Sequence, residues 1–225
     1  MSEDIMAAAT PVWLAGIGSR GPQDPAHAFW RTARRVCGVD CEPEYVETRL
    51  TQEKVEFYCN GGLVVARRSA RIFSRWLECF EQLSSAATIR QMLTIGTMDD
   101  GVYGPKFFLE QVALAIALTP LAAKVLLLDE RYNCPLHNRA LLERAYPQTR
   151  FDLDSIIQFH YNSSLHEIGF LDSFEPPLQS ESRQYKWLSS RLPLAPVVPR
   201  TNSAPFIAAF QERMLRWRES LAQLH

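Results

Sequence analysis

The chain lacks the features that mark membrane, secreted and nucleic-acid-binding proteins. No apolar run in its 225 residues is long enough to span a bilayer. The start of the chain is acidic at Glu3 and Asp4 and has no basic segment of the kind that begins a signal peptide. Lys and Arg number 24 against 25 for Asp and Glu, so there is no basic excess for nucleic acid. We therefore expect a cytoplasmic protein with no membrane span and no nucleic-acid partner.

Cysteine is scarce, and its number is odd. The five cysteines are Cys37, Cys41, Cys59, Cys79 and Cys134. An odd number without a secretory signal indicates reduced thiols rather than disulfides. Cys37 and Cys41 are close together, but no second pair of Cys or His stands at the spacing of a zinc finger. We therefore predict that both are ordinary packing residues.

Apolar residues make up 47% of the chain, enough for a sizeable core in one large domain, with or without an appendage. Helical and strand patterns alternate, which predicts an α/β layered fold. Asp24 is the predicted cap of the first helix and Gly38 its end, and Ser69 is the predicted cap of the second helix. The predicted elements are a helix over 26–37, a strand over 63–66, a helix over 70–83, a buried helix over 105–118, a strand over 124–128 and a strand over 156–161.

The C-terminal part has a different texture. From Glu175 to Pro205 the sequence is rich in proline, so we predict an extended strap along the surface. A helix is predicted next, because apolar residues recur at steps of three and four. These residues are Ile207, Phe210, Met214, Trp217, Leu221 and Leu224. We expect this helix to dock on the same domain, with self-association through it as the alternative. We divide the chain into a domain over 1–174 and an extension over 175–225.

One glycine pattern suggests a dinucleotide site. Gly16, Gly18 and Gly21 match the G-x-G-x-x-G motif of NAD-binding proteins. In that motif the helix begins among the glycines, so that its N-terminus meets the pyrophosphate. Here Pro22 follows the third glycine, and the predicted helix begins beyond the motif. We expect a flexible glycine-rich loop and keep an NAD-binding protein as an alternative.

Two acidic pairs also suggest a ligand. Asp152 with Asp154, and Asp99 with Asp100, have the composition that binds a divalent cation. A metal-binding pair of this kind normally follows a strand, whereas the first pair precedes one and the second lies in a glycine-flanked loop. We therefore predict capping and turn roles for these carboxylates.

The stretch from Tyr58 to Ala66 is the most informative part of the chain. Asn60, Gly61 and Gly62 predict a turn that leaves the main chain open to a ligand. A second candidate is His160, near the end of a predicted strand, where an imidazole can ligate a metal or contact a phosphate. The alternative for His160 is a half-buried ring that a backbone carbonyl satisfies.

Four segments, taken in chain order, resemble the C-terminal half of GT-A-type nucleotide-diphospho-sugar glycosyltransferases. They are Phe57 to Val65 with the helix ending near Trp76, Phe108 to Leu114, Leu128 to Asn133, and Ile156 to Tyr161. They look like the family's Asn-Gly strand followed by a helix bearing Trp, its acidic-Gln segment, its Tyr/Trp-Asn turn, and its strand that delivers a His to metal and diphosphate. Their order and spacing make the similarity more specific than any one of them does.

The resemblance implies a partial GT-A-like fold and the transfer of a sugar from a nucleotide-diphosphate donor to a hydroxyl acceptor. It implies catalytic roles for Glu110 and Gln111, with Glu110 as the candidate base toward the acceptor hydroxyl. It implies that His160 is a ligand of Mn²⁺ or Mg²⁺. The residues that it assigns to substrate binding are Asn60, Gly61, Gly62, Tyr132 and Asn133.

The sequence also departs from the family. Asp129 stands where the third segment usually has Pro, and 162–164 replace a Gly-Lys-Pro-Trp-like continuation. Before Asn60 there is no Asp-x-Asp pair, and no run of early strands is predicted. We therefore expect either a C-terminal piece of a longer protein or a chain that has lost donor binding. Because hard cations take several oxygen ligands, we also expect weak or absent metal binding. A non-catalytic sugar- or protein-binding module on the same scaffold is the alternative function.

Overall fold

The structure is a computed structural model. It describes residues 4–94, 109–138, 141, 143–144, 153–160, 165, 168–173, 178 and 180–192. The described part has mixed α/β character, with small sheets and several helices, which confirms the predicted fold class at this level. The strands are β1 (Ala7–Pro11), β2 (Tyr45–Glu47), β3 (Lys54–Glu56), β4 (Cys59–Ala66) and β5 (Val125–Leu127). The helices are α1 (His27–Val36), α2 (Ile72–Ser85), α3 (Ala87–Thr94), α4 (Leu109–Leu118) and α5 (Arg183–Ser189).

The main sheet has β1 in its centre, in the order β4-β1-β5. β1 is antiparallel to β4 and parallel to β5, with Ala7 opposite both Ala66 and Val125. Ala7, Ala8 and Ala9 of β1 are all buried. Because β1 and β5 are parallel, their carboxyl ends lie at the same edge of the sheet. The short strand predicted over 124–128 is confirmed by β5.

β4 contains a bulge at the Asn-Gly-Gly sequence. Ala9 pairs with Val64, but the next residue of β1, Thr10, pairs with Asn60. Residues 61–63 are therefore extra residues opposite a single step of β1, as in an extended β-bulge. The predicted turn at this place is wrong, because the chain on both sides of the glycines pairs with the same strand.

The predicted burial of residues 63–66 is also wrong. Val65 is 49% exposed. Val64 and Ala66 pack against the main core, whereas Val65 points to the opposite face of the sheet. Periodicity alone does not distinguish a short apolar strand that is buried on both faces from one that is buried on a single face.

The first helix follows the prediction closely. α1 ends before Gly38, whose positive φ of 63° suits a residue without a side chain. The Asp24 carboxylate accepts the N–H of Ala26 at 2.8 Å, one residue before the helix begins at His27. The predicted stop is confirmed. The predicted cap is wrong, because the helix is preceded by Ala26 without a side-chain cap, and Asp24 instead satisfies a backbone donor of the turn that leads into α1.

The second helix has the predicted stripe but a different start. α2 buries Ile72, Trp76, Phe80 and Leu83 on one face. Ser69 does not cap it, because Ser69 lies within a 3₁₀ turn over Arg68–Ala70. The residue before α2 is instead Arg71, with φ at 52°. The prediction for Ser69 is therefore wrong, because the chain makes a separate short turn before the helix.

α4 is the central helix of the core. All residues from Val112 to Leu118 are buried, as the uniformly apolar sequence predicted. The helix lies against α2 and β4. A 3₁₀ turn over Thr119–Lys124, with Pro120 near its start, ends α4 and leads to β5. The predicted start near residue 105 lies outside the described residues.

The strands β1, β2 and β3 precede Asn60, contrary to the prediction, which also missed the central strand β1. β2 and β3 form a two-stranded antiparallel sheet in which Val46 pairs with Val55, and both side chains are buried. Each of these strands has only three residues. Three residues are too few to show an alternation that a sequence pattern can reveal, so both strands were missed.

The strand predicted over 156–161 is wrong. A single parallel bridge joins Cys134 to Phe159. The amides of Ile157 and Gln158 both donate to the carbonyl of Arg131, which breaks the regular ladder. The last predicted residue, Tyr161, lies outside the described residues.

A helix interrupts the predicted proline-rich strap. α5 lies within the region predicted as extended, so that prediction is wrong over 183–189. The Ser182 hydroxyl accepts the Tyr185 N–H at 2.9 Å, and the Asp154 carboxylate accepts the Gln184 N–H at 2.8 Å. The capping role predicted for Asp154 is therefore confirmed. The other acidic-pair residues, 99, 100 and 152, and the predicted helix over 203–224 lie outside the described residues.

α5 joins a second apolar cluster. The cluster contains Leu136, Leu153, Leu165, Phe170, Leu171, Leu178 and Leu188. Its members come from both sides of residue 174, where the predicted domain boundary falls. Described residues of the extension therefore pack against residues of the main domain.

The cysteines agree only in part with the predictions. All five cysteines are free thiols. Cys37 is buried, but Cys41 is exposed, so the prediction that both are packing residues is wrong for Cys41.

Among the helices of the described residues, none combines the length and the apolar character needed to cross a bilayer.

Candidate functional site

The candidate site lies at the edge of the main sheet where β1 and β5 end. The two strands are parallel and in register, so Pro11 and Leu127 mark the same edge. Ligands of open α/β sheets bind beyond the carboxyl ends of such strands. β4 brings Asn60 to this edge, opposite Thr10 of β1. The bulge of β4 therefore lies at the position where the sheet topology favours a ligand.

Three side chains from separate parts of the sequence form a hydrogen-bonded array here, which we call the Asn–Asn–His network. Asn133 Nδ2 lies 2.9 Å from Asn60 Oδ1, and Asn133 Oδ1 lies 2.8 Å from His160 Nδ1. Asn60 is 7% exposed and Asn133 is 1% exposed, whereas His160 is half-buried. The network therefore runs from the core to an imidazole at the edge of the sheet.

Backbone pairing places Asn133 beside His160. The Cys134 N–H donates to the Gln158 carbonyl at 2.8 Å, and the His160 N–H donates to the Cys134 carbonyl at 2.7 Å. Asn133 has a φ of 54°, in the left-handed region. Among residues with a side chain, Asn tolerates this region best, because its short amide can bond locally. The local backbone thus favours Asn at the centre of the network.

Gly62 leaves the space that the Asn133 amide occupies. An ideal Cβ on Gly62 would lie 2.7 Å from Asn133 Cγ and 2.8 Å from Asn133 Nδ2. The Gly62 N–H donates to Asn60 Oδ1 at 2.8 Å. The space beside this glycine is therefore filled by a protein side chain, and not left for a ligand as the sequence suggested.

Gly61 faces the helices. An ideal Cβ on Gly61 would lie 3.7 Å from Gln111 Cγ and 4.0 Å from the Trp76 ring, which are ordinary contacts. The Tyr58 hydroxyl lies 3.4 Å from Gln111 Oε1. The start of α4 therefore meets the bulge on the side opposite to the Asn–Asn–His network.

Glu110 lies at the same end of α4. Its carbonyl accepts the Trp76 Nε1–H at 2.7 Å, which ties α2 to α4. Burial raises the pKa of the Tyr58 hydroxyl well above its usual value, and the Glu110 carboxylate raises that pKa further. The structure brings Gln111 next to Gly61, and it ties the Glu110 backbone to Trp76.

Tyr132 lies in the turn that leads from β5 into Asn133. It is half-buried, and its N–H donates to the Asp129 carbonyl at 3.2 Å. The Asp129 carboxylate accepts the Arg131 N–H at 3.0 Å and pairs with the Arg131 guanidinium at 2.6 Å. This hydrogen bonding with Arg131 is the main cause that holds the pKa of Asp129 below its usual value. Asp129 thus closes this turn, and the contacts of Tyr132 do not join it to the network.

Sequence reasoning missed Trp13. Its ring centroid lies 4.3 Å from that of His160, and the two rings are nearly perpendicular at 87°. Trp13 also packs against Leu50, Cys134 and Ile156. The edge-to-face contact limits the orientation of the imidazole. The only sequence signal for it was a Trp directly after an apolar run.

Gln158 was missed as well. Its Nε2 donates to the Gly62 carbonyl at 3.3 Å. Its Oε1 is shielded from solvent, and no donor of the described residues lies within hydrogen-bonding distance of it. A buried acceptor without a partner is costly in free energy unless a ligand or water supplies a donor. Gln158 is therefore a better candidate for ligand contact than the buried amides of Asn60 and Asn133.

The described surroundings of His160 do not fit a divalent cation. Across the described ranges, no group of three or more His, Cys, Asp or Glu side chains is arranged to hold a metal ion. The imidazole contacts the amide of Asn133 and the indole of Trp13. Mn²⁺ and Mg²⁺ require several oxygen ligands, usually including carboxylates. We therefore derive no chemical step through a metal ion.

The glycine motif over 16–21 forms a loop. α1 begins only at His27, so its N-terminus does not meet the glycines, as predicted. Ser19 within the loop is buried, and its hydroxyl donates to Glu56 Oε1 at 2.7 Å. The same carboxylate lies 2.9 Å from His27 Nδ1 and also pairs with Arg34. These contacts anchor the loop to β3, which distinguishes it from a pyrophosphate-binding turn.

Comparisons with protein-family models, curated proteins and solved structures find nothing that matches this chain.

Proposed function

We propose that the chain is a glycosyltransferase-like protein with a partial GT-A-like fold, which takes a sugar from a nucleotide-diphosphate donor and transfers it to a hydroxyl acceptor. We expect it to act in the cytoplasm. Because no Asp-x-Asp pair precedes Asn60, we expect either that a further part of a longer protein binds the nucleotide or that donor binding has been lost.

One observation carries the proposal. Three segments that are far apart in the sequence, chosen for their resemblance to that family, meet at one edge of the sheet. Asn60 contacts Asn133 at 2.9 Å, and Asn133 contacts His160 at 2.8 Å. Asn60 and Asn133 are distant in sequence, so local structure alone does not bring them together. A shared ligand site gives a reason for their contact.

The roles follow from the contacts. Because Asn60 and Asn133 are buried, they act on a ligand through His160. We expect a ligand to reach the imidazole of His160 and the side chain of Gln158, which donates to the Gly62 carbonyl. Amide side chains and imidazoles are suited to the hydroxyl groups of sugars, since they both donate and accept hydrogen bonds.

Glu110 and Gln111 do not share this side of the bulge. Gln111 accepts from the Tyr58 hydroxyl and lies beside Gly61, on the side opposite to the Asn–Asn–His network. The catalytic roles that the resemblance implies for Glu110 and Gln111 are therefore not part of the proposed site.

A ligand screen tests the proposal. The melting temperature of the full chain is measured with a panel of uridine- and guanosine-diphospho-sugars, with the free diphosphates and with the free sugars, each with and without Mn²⁺. We expect a rise with at least one nucleotide sugar, since a ligand that binds only the folded state stabilises it. The rise should be lost in His160→Gln and Gln158→Leu.

Matched controls separate the site from general stability effects. His27→Gln makes the same change as His160→Gln away from the network, and Gln91→Leu makes the same change as Gln158→Leu on the exposed surface of α3. Both controls should keep the ligand response. A response to free sugars alone would favour the non-catalytic sugar-binding module, and no response to any compound would contradict the proposed function.

A further inference from the structure

The hydrogen-bond directions of the Asn–Asn–His network can be assigned from one end. A backbone N–H only donates, so the Asn60 atom that meets the Gly62 N–H must be the oxygen Oδ1. The Asn133 atom that faces Asn60 Oδ1 at 2.9 Å must then be the donor Nδ2. The same Nδ2 lies 3.4 Å from the Thr10 hydroxyl, which has room to accept a second hydrogen bond. The orientation of the Asn133 amide is therefore determined by the backbone of β4.

This orientation determines the state of the imidazole. With Nδ2 directed to Asn60, the Asn133 Oδ1 faces His160 Nδ1 at 2.8 Å. A carbonyl oxygen only accepts, so Nδ1 must carry a proton. In a neutral imidazole the other nitrogen, Nε2, then holds the lone pair. We propose that Asn133, oriented by Asn60 and the Gly62 backbone, is a positioning residue that holds His160 in the Nδ1-protonated tautomer, in which Nε2 carries the lone pair.

The proposal changes the roles of two residues. Asn60 and Asn133 were expected to touch a sugar, yet Asn133 is 1% exposed, and its amide is committed to Asn60, Thr10 and His160. The proposal makes both of them positioning residues for His160. The ring contact with Trp13 restricts the same imidazole from its other side. Only the identity of the group that meets Nε2 rests on the proposed function. The tautomer itself does not.

The tautomer of His160 can be determined directly by NMR spectroscopy. The full chain is labelled with ¹⁵N-histidine, and long-range ¹H–¹⁵N correlation spectra are recorded without ligand at a pH high enough to keep the imidazoles neutral. The chain has five histidines, and the His160 signals are assigned as those missing from His160→Gln. We expect a protonated, pyrrole-type Nδ1 and an unprotonated, pyridine-type Nε2 for His160. A wild-type spectrum with the proton on Nε2 would overturn the proposal without any further variant.

Two variants test whether Asn60 and Asn133 determine the tautomer of His160. Asn60→Asp keeps an acceptor for both the Gly62 N–H and Asn133 Nδ2, so His160 should keep its tautomer. Asn133→Leu has a similar volume but no acceptor, so the His160 signals should shift toward the Nε2-protonated form, which imidazole prefers in water. Unchanged His160 signals in Asn133→Leu would contradict a role for Asn133, and a changed tautomer in Asn60→Asp would contradict the role assigned to Asn60.

These outcomes are separate from those of the ligand screen. If no nucleotide sugar binds while His160 shows the expected tautomer, the proposed function fails and the positioning role stands. If a nucleotide sugar binds while the tautomer is the opposite one, the positioning role fails alone.

Discussion

The side-chain amide of Asn133 occupies the space that a Cβ on Gly62 would need. The amide is fastened there by its contacts with Asn60 and His160. Gly62 does not have a positive φ, so its lack of a side chain matters for space and not for backbone conformation. The second glycine of the Asn-Gly-Gly sequence is thus explained by the buried network behind it.

The first prediction compares the two neighbouring glycines. Gly62→Ala should lower the free energy of unfolding by about 1–3 kcal/mol, because the new methyl group displaces a buried, hydrogen-bonded amide. Gly61→Ala should change it by less than about 0.5 kcal/mol, since its methyl group meets only ordinary contacts at Gln111 and Trp76. Urea denaturation of both variants measures the difference. Equal losses would show that Asn133 does not depend on Gly62.

The second prediction concerns the anchored loop. Glu56 is 1% exposed and pairs with Arg34, with His27 and with the Ser19 hydroxyl. Glu56→Ala should cost about 3–5 kcal/mol, because it leaves the largely buried Arg34 guanidinium without its carboxylate. Glu53→Ala, which removes a more exposed carboxylate paired with Arg20, should cost less than about 1 kcal/mol. Chemical denaturation distinguishes the two, and a small effect of Glu56→Ala would contradict the burial of this pair.

The third prediction concerns pH. Burial acts to raise the pKa of Asp24, but hydrogen bonds from the Ala26 N–H and from Arg20 lower it more, so that the pKa lies below 3.8 in the folded protein. A lowered folded-state pKa adds stability that is present above the unfolded pKa and is lost as the pH falls through the folded value. Asp24→Ala should therefore cost about 1 kcal/mol at neutral pH and progressively less as the pH falls below 3.8.

Asp24→Asn is the matched control for that experiment. It keeps an oxygen that accepts the Ala26 N–H, and it loses the charge and the second oxygen, which accepts from Arg20, whose side chain is 51% exposed. Its loss of stability at neutral pH should be smaller than that of Asp24→Ala. A difference between wild type and Asp24→Ala that stays constant from neutral to strongly acidic pH would show that the ionised carboxylate contributes nothing.

The fourth prediction concerns metal ions. Isothermal titration calorimetry of the full chain with Mn²⁺ should show weak or absent binding, because the described neighbours of His160 include no carboxylate cluster. His160→Ala should leave the heat of titration unchanged. Tight binding that disappears in His160→Ala would contradict this expectation and would place carboxylate ligands in the part of the chain that the structure does not describe.

The local features of the fold were predictable, and the long-range ones were not. The burial of 112–118 follows from composition, and the end of α1 at Gly38 follows from the need for a left-handed residue. The pairing of Asn60 with Thr10, and of Cys134 with Phe159, depends on segments far apart in the sequence. Periodicity within a short window contains no information on such pairing. The bulge was therefore mistaken for a turn.

In the candidate site, too, the sequence predicted local features but not long-range contacts. Asn60, Asn133 and His160 were selected from motifs, and the structure brings them together, but their mutual hydrogen bonds were not foreseen. Gln158 and Trp13 were missed, because neither belongs to a motif and each acquires its place only through the folded neighbourhood of His160. Their importance depends on three-dimensional contacts, which no spacing rule supplies.

The most direct test of the proposed site follows the His160 imidazole itself during a titration. The ¹⁵N-histidine-labelled chain is titrated with the nucleotide sugar that most raises its melting temperature, and the signals of His160 and His27 are recorded together. The proposed site predicts saturable shifts of the His160 ring nitrogens, with His27 unchanged, at ligand concentrations that match the thermal response. Unchanged His160 signals, or equal shifts at both histidines, would contradict a nucleotide-sugar site at the Asn–Asn–His network.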